Sequence, residues 1–203
     1  MHRMRGQARR PALTASSGIG GFGSPGHLAR RFFASLRPGG PDPAGEAWAI
    51  NWLTSPEKGL WGRMSAPDRR HAIGVAHRVA ALAGNRDGAG VERRLLAAAL
   101  LHDTGKQASR LGTFARAAAT LVAMTVGRAK AASWASTVEG RTLPGWRPRV
   151  ALYLNHDRIG AEMLRAAGSD ELVAAWAFEH HRTPGSWTID RRLAEWLKAA
   201  DDD

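Results

Sequence analysis

Apolar residues recur along most of this chain at spacings of three and four, the period of an amphipathic helix. No stretch alternates with the period of two that marks a half-buried strand. The pattern predicts a short helix over residues 46–53 in which Trp48 and Trp52, four apart, share a face. With Trp61 they are expected to pack as a lid over the core, and the eight tryptophans are read as core rather than as platforms for stacking bases. Ser65-Ala66-Pro67-Asp68 opens the next helix, with Ser at the cap, Pro in the first turn and an acid at the third position. Its stripe of Val75, Val79 and Leu82 carries it to about Gly84-Asn85. A helix from Val91 to His102 ends at Gly105, and residues 106–136 read as two helices broken near Gly127. After a turn at Thr142–Pro148, Leu152, His156, Ile159 and Met163 mark one helix over 150–167. Ser169-Asp170-Glu171 caps and starts another that reaches Glu179-His180-His181 and stops before Pro184-Gly185. The last runs from Asp190 to Asp203. The expectation is an all-α, single compact domain of about six or seven helices.

Composition narrows this further. At 203 residues the chain is long enough for one domain with a real core. It has no cysteine, which excludes disulfides, thiolate catalysis and cysteine-ligated zinc. The net charge of +11 is uneven: residues 1–45 hold seven arginines against one acid, Asp42. That stretch, rich in Gly and Pro and poor in apolar residues, is expected to be a disordered tail preceding a helical domain over 46–203. It reads as a solvated basic arm with a weak polyanion contact as its alternative role. Arg30-Arg31-Phe32-Phe33 imitates a twin-arginine export signal, but Leu36-Arg37-Pro38-Gly39-Gly40-Pro41 follows in place of an apolar run. The uncharged stretch Ala117–Gly127 has 11 residues, against the roughly 20 that a transmembrane helix needs. A cytoplasmic protein is expected, with peripheral membrane contact as the reservation.

Seven residues of metal-ligand type carry the candidate chemistry: His71, His102, Asp103, His156, His180, His181 and Asp201. Imidazole and carboxylate suit Zn, Fe, Mn or Ni, and a convergent set of this size can hold two ions about 3.5–4 Å apart. On a helical wheel His71 lies within about 80° of the apolar stripe, whereas His77 points about 240° away from His71, which selects His71 as the ligand. His102 and Lys106 are four apart and Asp103 and Lys106 three, so a continued helical turn places Lys106 beside both. Gly105 is read as permitting a local break, and Gly160 as leaving room for substrate or a neighbouring helix. His180 and His181 reach one ion only at a helix end, where they stand, and His181 is left open between ligand and substrate contact. Asp201 follows Leu197 by four and Leu193 by eight, on the apolar face. Three acids at a helix C-terminus oppose the macrodipole at about 0.3–1 kcal/mol each, a cost that a bound cation offsets.

The string Ala98-Ala99-Leu100-Leu101-His102-Asp103-Thr104-Gly105-Lys106 resembles the signature of the HD-domain superfamily of metal-dependent phosphohydrolases. His71-Ala-Ile-Gly-Val-Ala, His156-Asp-Arg-Ile-Gly-Ala, Glu179-His180-His181 and Ala200-Asp201-Asp202 are similar to its other motifs, in the same order, so the resemblance spans residues 65–203. It implies a first divalent ion on His71, His102, Asp103 and Asp201, and a second on His156, His180 and His181, with Asp103 bridging. The two ions are expected to be Fe, Mn or another transition metal. The resemblance also implies hydrolysis of a small phosphorylated, nucleotide-like substrate by metal-activated hydroxide, with Asp103 and Lys106 as catalytic residues. Two other readings stay open: a di-iron oxygenase on the same ligands, and a non-catalytic module that binds nucleotide or nucleic acid.

Overall fold

Helix starts in this chain are written in its capping residues. The computed structural model describes residues 39–85, 88–134, 137–138, 141–142 and 145–202. Asp42 accepts a hydrogen bond from the Gly45 N–H at 2.8 Å and Pro43 fills the first position, so α1 spans Pro43–Asn51. The tail expected to extend to residue 45 therefore ends earlier, because its Pro and Asp are helix-start residues; its remainder, 1–38, lies outside the described residues. Thr54 and Glu57 form a reciprocal capping box at the head of α2 (Ser55–Arg63). Ser65 caps α3 (Ala66–Leu82) through the Asp68 N–H, as its sequence foretells. The buried run Leu95–Leu101 forms the body of α4 (Arg93–Leu101), and a 3₁₀ turn follows over Thr104–Ser109.

The second half departs from expectation in three places. Gly127, at φ 91°, separates α5 (Thr113–Val126) from α6 (Arg128–Ala132) as predicted. A two-residue antiparallel pair, β1 (Thr137–Val138) with β2 (Arg141–Thr142), then appears where no strand was expected. The expected single helix over 150–167 is two, α7 (Trp146–Leu154) and α8 (His156–Ala166). Asn155 breaks it at φ −105° and ψ 19°, its amide donating to the carbonyls of Ala151 and Ala132. The third departure is at Trp146, where a helix begins inside the expected turn, because Pro148 sits in the first helical turn, where a missing N–H is harmless. Asp170 caps α9 (Glu171–Glu179), a second 3₁₀ turn covers Pro184–Ser186, and α10 spans Arg191–Asp202. The described residues thus hold ten α-helices rather than six or seven, the fold remaining all-α apart from the short strand pair.

Helix α4 is the axis of the main core, packed by α3 on one side and α9 on the other, with α10 lying across α3. Much of this interior is alanine: Ala72, Ala76 and Ala80 on α3, Ala97 to Ala99 on α4, Ala174 and Ala177 on α9, and Ala194 and Ala200 on α10. Side chains this small let helix axes approach closely, which brings polar side chains from different helices within reach of one another. Trp61 is buried with its Nε1–H donating to Glu46 Oε1 at 2.6 Å, while Trp48 and Trp52 meet edge to face and pack partly buried on the core. A smaller cluster of Ala119, Ala123, Ala131, Val150 and Leu154 joins α5, α6 and α7. Among the described residues no helix is long and apolar enough to cross a membrane.

Candidate metal centre

All seven predicted ligands arrive at one place, carried by five helices. His71 stands on α3, His102 caps the C-terminus of α4 with Asp103 next, His156 opens α8, His180 caps α9 with His181 next, and Asp201 lies in the last turn of α10. Three of the histidines share one local device. Nδ1 of His102 donates to the Ala99 carbonyl at 2.9 Å, Nδ1 of His156 to that of Tyr153 at 2.7 Å, and Nδ1 of His180 to that of Ala177 at 2.9 Å. A carbonyl only accepts, so in the neutral ring Nδ1 keeps the hydrogen and Nε2 keeps its lone pair. Each partner is three residues back in the chain, a spacing that makes this pinning a local property of each helix end or turn.

The lone pairs then converge. His71 Nε2 is 3.0 Å from Asp201 Oδ1, and His102 Nε2 is 3.4 Å from Asp103 Oδ2 and 3.6 Å from Asp201 Oδ1. On the other side His156 Nε2 is 3.5 Å and His180 Nε2 3.7 Å from Asp103 Oδ1, with His181 Nε2 3.2 Å from His156 Nε2. Two triads, His71-His102-Asp103 and His156-His180-His181, each offer ligand atoms within 4.8 Å of one another. Asp103 turns one carboxylate oxygen toward each triad. Its Oδ1 and the Nε2 atoms of His102 and His180 are buried with no hydrogen-bond partner. A buried acceptor left so costs about 1–3 kcal/mol, and three facing one another repel. One kind of group relieves all three at once, a cation, and the all-nitrogen-and-oxygen donor set fits a divalent transition metal.

Electrostatics reinforce the fit. Burial works against ionising Asp103, but the charges of Lys106 and His102 hold its carboxyl well below the usual carboxylate range. Burial likewise opposes charge on His102, and the Asp103 and Asp201 carboxylates overcome it, raising the imidazole above its ordinary value. His180 is lowered, chiefly by desolvation and then by the neighbouring imidazoles, against the pull of Asp103. His181 as a residue is exposed, yet its ring packs against His180 and His156 with centroids 3.9 and 5.2 Å away, and desolvation with those two neighbours pushes its proton affinity far down. The lowered His180 and His181 and the ionised Asp103 are thus in the protonation states that bind metal, whereas His102 would release its proton as an ion arrived. Lys106 Nζ stands 2.5 Å from Asp103 Oδ2 and is raised, Asp103 outweighing the effect of burial.

Several residues beyond the seven ligand-type side chains hold this arrangement. Gly105 and Gly160 meet face to face: a Cβ on Gly105 would stand 1.9 Å from the His156 carbonyl oxygen and 2.6 Å from the Gly160 nitrogen. Gly105 serves close approach rather than the expected local break, and the neighbour that Gly160 admits is the Gly105 backbone. Arg78 Nε donates to the Ala200 carbonyl at 2.7 Å, tying down the turn that carries Asp201, and sits seven residues beyond His71 on the same face of α3. Buried Glu179 receives the N–H and hydroxyl of Thr188 at 2.8 and 2.6 Å, closing the loop that follows His180 and His181. His77, set aside on its helical face, stacks on Trp48 with ring centroids 4.0 Å apart. Arg158, two residues beyond His156, is exposed and paired with Glu162 at 2.6 Å. Arg110 is also exposed, in left-handed backbone at φ 50°, and its carbonyl accepts from the Arg149 guanidinium.

No protein-family model, curated protein or solved structure matches this chain.

Proposed function

We propose that this protein is an HD-type, metal-dependent phosphohydrolase of the cytoplasm that cleaves a small, nucleotide-like phosphoester. One observation carries the reading: a buried, ionised Asp103 presents one oxygen to each of two ligand triads, with histidine lone pairs aimed at both. His71, His102, Asp103 and Asp201 would hold one divalent ion, and His156, His180 and His181 the other, Asp103 being common to both. Bound there, such ions supply Lewis acidity and a water with a pKa of about 7–9, acidic enough to attack phosphorus near neutral pH.

The chain's own groups do the rest. Backbone carbonyls fix the His102, His156 and His180 rings before anything binds, so little reorganisation is needed on loading. Lys106 keeps Asp103 ionised, and its partly exposed ammonium lies close enough to His181, which also meets solvent, to act on that ring. A phosphoryl oxygen arriving there meets the ammonium, which stabilises the charge that builds as the ester bond breaks. The Arg-rich N-terminal residues would add a weak, salt-sensitive attachment for longer polyanions.

Metal analysis of the full chain, followed by a screen of phosphomono- and phosphodiesters, tests this. Two equivalents of Fe or Mn with release of a nucleotide product are expected, and Asp103→Asn should lose both metal and turnover. Loaded protein that ignores every ester but consumes oxygen with reduced iron would move the assignment to an oxygenase. Metal-free protein that binds nucleotide without turnover would move it to a sensor.

A further inference from the structure

Helix α5 wears its apolar residues on the outside. Of its 14 residues only Ala119 and Ala123 are buried, while Phe114 is 72% exposed, Leu121 64% and Met124 63%. On a 100° wheel Phe114, Ala118, Leu121 and Thr125 fall within about 60° of one another, on the side opposite the buried alanines, with Met124 at their edge. No charged residue lies between Arg116 and Arg128, and Arg116 turns inward to bond Asp68 at 2.7 and 2.8 Å. This uncharged outer face is bracketed by exposed cations, Arg110 before the helix and Arg128 and Lys130 after it. From Thr104 to Val138 the chain has five basic residues and no acid.

Few surfaces complement both features. A second copy of this chain would bring the same cations against themselves, and the net charge of +11 opposes it further. A nucleic acid would accept the cations but has no use for a stripe of Phe, Leu and Met. An anionic lipid surface accepts both, the side chains entering the headgroup–acyl boundary and the cations meeting lipid phosphates. A helix of 14 residues is about 21 Å long, short of the roughly 30 Å hydrocarbon core it would have to cross. It can only lie in the plane.

We propose that α5 is a membrane-surface contact: Phe114, Leu121 and Met124 insert shallowly into an anionic bilayer, and Arg110, Arg128 and Lys130 anchor on its phosphates. The contact is independent of what the metal centre does.

Co-sedimentation of the full chain with phosphatidylcholine vesicles, with and without phosphatidylglycerol, tests it. Binding is expected to need the anionic lipid and to fall with salt. Phe114→Ser, Leu121→Ser and Met124→Ser combined should weaken it about tenfold or more with little change in melting temperature, since each side chain is more than half exposed. Because the chain has no cysteine, Leu121→Cys gives a single site for an environment-sensitive fluorophore, whose emission should shift to the blue on anionic vesicles only. A triple variant that binds like the parent, or a label at residue 121 that stays in water, would overturn the proposal by leaving attraction to the cations alone. Absence of vesicle binding together with a dimer that the triple variant dissolves would also overturn it, by showing that a second copy covers α5.

Discussion

Gly105→Ala is the sharpest probe of how the metal centre is held together. The added methyl would stand 1.9 Å from the His156 carbonyl oxygen and 2.6 Å from the Gly160 nitrogen, where ordinary contact begins at about 3.4 Å. Both obstacles are backbone, so no side chain can swing away; the first turn of α8 must retreat by more than an ångström. Overpacking of this kind costs about 1–3 kcal/mol and occasionally more, and a clash against two backbone segments belongs at the top of that range. At about 2–4 °C per kcal/mol for a chain of this size, about 3 kcal/mol lowers Tm by roughly 6–12 °C. The same retreat carries His156 Nε2 away from Asp103 Oδ1, now 3.5 Å distant, so metal affinity should fall first at the second triad. Calorimetry beside metal analysis reads both effects. Gly62→Ala is the control: it lies inside α2 with nothing within 4 Å, and removing a helical glycine should stabilise by about 0.5–1 kcal/mol. If Gly105→Ala melts within 2 °C or so of the parent and keeps its full metal complement, the close approach does not position the site.

Other expectations follow from the same geometry. His71→Ala should lower metal content by weakening the first triad, whereas His77→Ala should keep the parent's metal content and cost only about 1 kcal/mol from its lost stack on Trp48, checked by metal stoichiometry and Tm. Arg78→Met should cost about 1–2 kcal/mol and drop metal content toward one equivalent, since the Asp201 turn loses its tether while the second triad is untouched. Asp201→Asn should weaken the first ion too; should stoichiometry and turnover survive it, Asp201 is a structural partner of His71 rather than a ligand. Chelator-treated protein should lose stability as pH falls below about 6.5, because His180 and His181, lowered in the fold, take up protons there only when unfolded. His102, raised in the fold, is protonated in both states below that pH and acts above it, its contribution lost as pH rises, so urea midpoints should peak near about 6.5 and fall on the acid side with a slope approaching two protons.

What could be read from the sequence was residue type and period. His71 was separable from His77 because a helical wheel assigns faces, and the structure brings His71 to Asp201 and leaves His77 on Trp48. Asp201 was readable as a core-facing acid from its spacing to Leu197, and it is buried. Periodicity failed at Asn155, where the three-and-four spacing runs unbroken through a side chain that competes with the backbone for its carbonyls. It also failed at Gly105, because a close approach between two backbones 51 residues apart leaves no local mark beyond the glycine itself. Arg78 and Glu179 look like ordinary surface charges until their long-range partners, Ala200 and Thr188, are seen beside them.

His71 and Asp201 touch across 130 residues of chain, in a protein with no cysteine. An ion gripped by both would act on this chain as a cross-link acts on a polymer, closing a loop that spans nearly the whole helical region. Loops of about 100 residues closed permanently are worth roughly 4.7 kcal/mol in lost freedom of the unfolded chain, and a reversible closure approaches that value only as fast as the ion stays put. The native lifetime would then be set by metal dissociation as much as by packing, and protease resistance would rise and fall with the supply of metal.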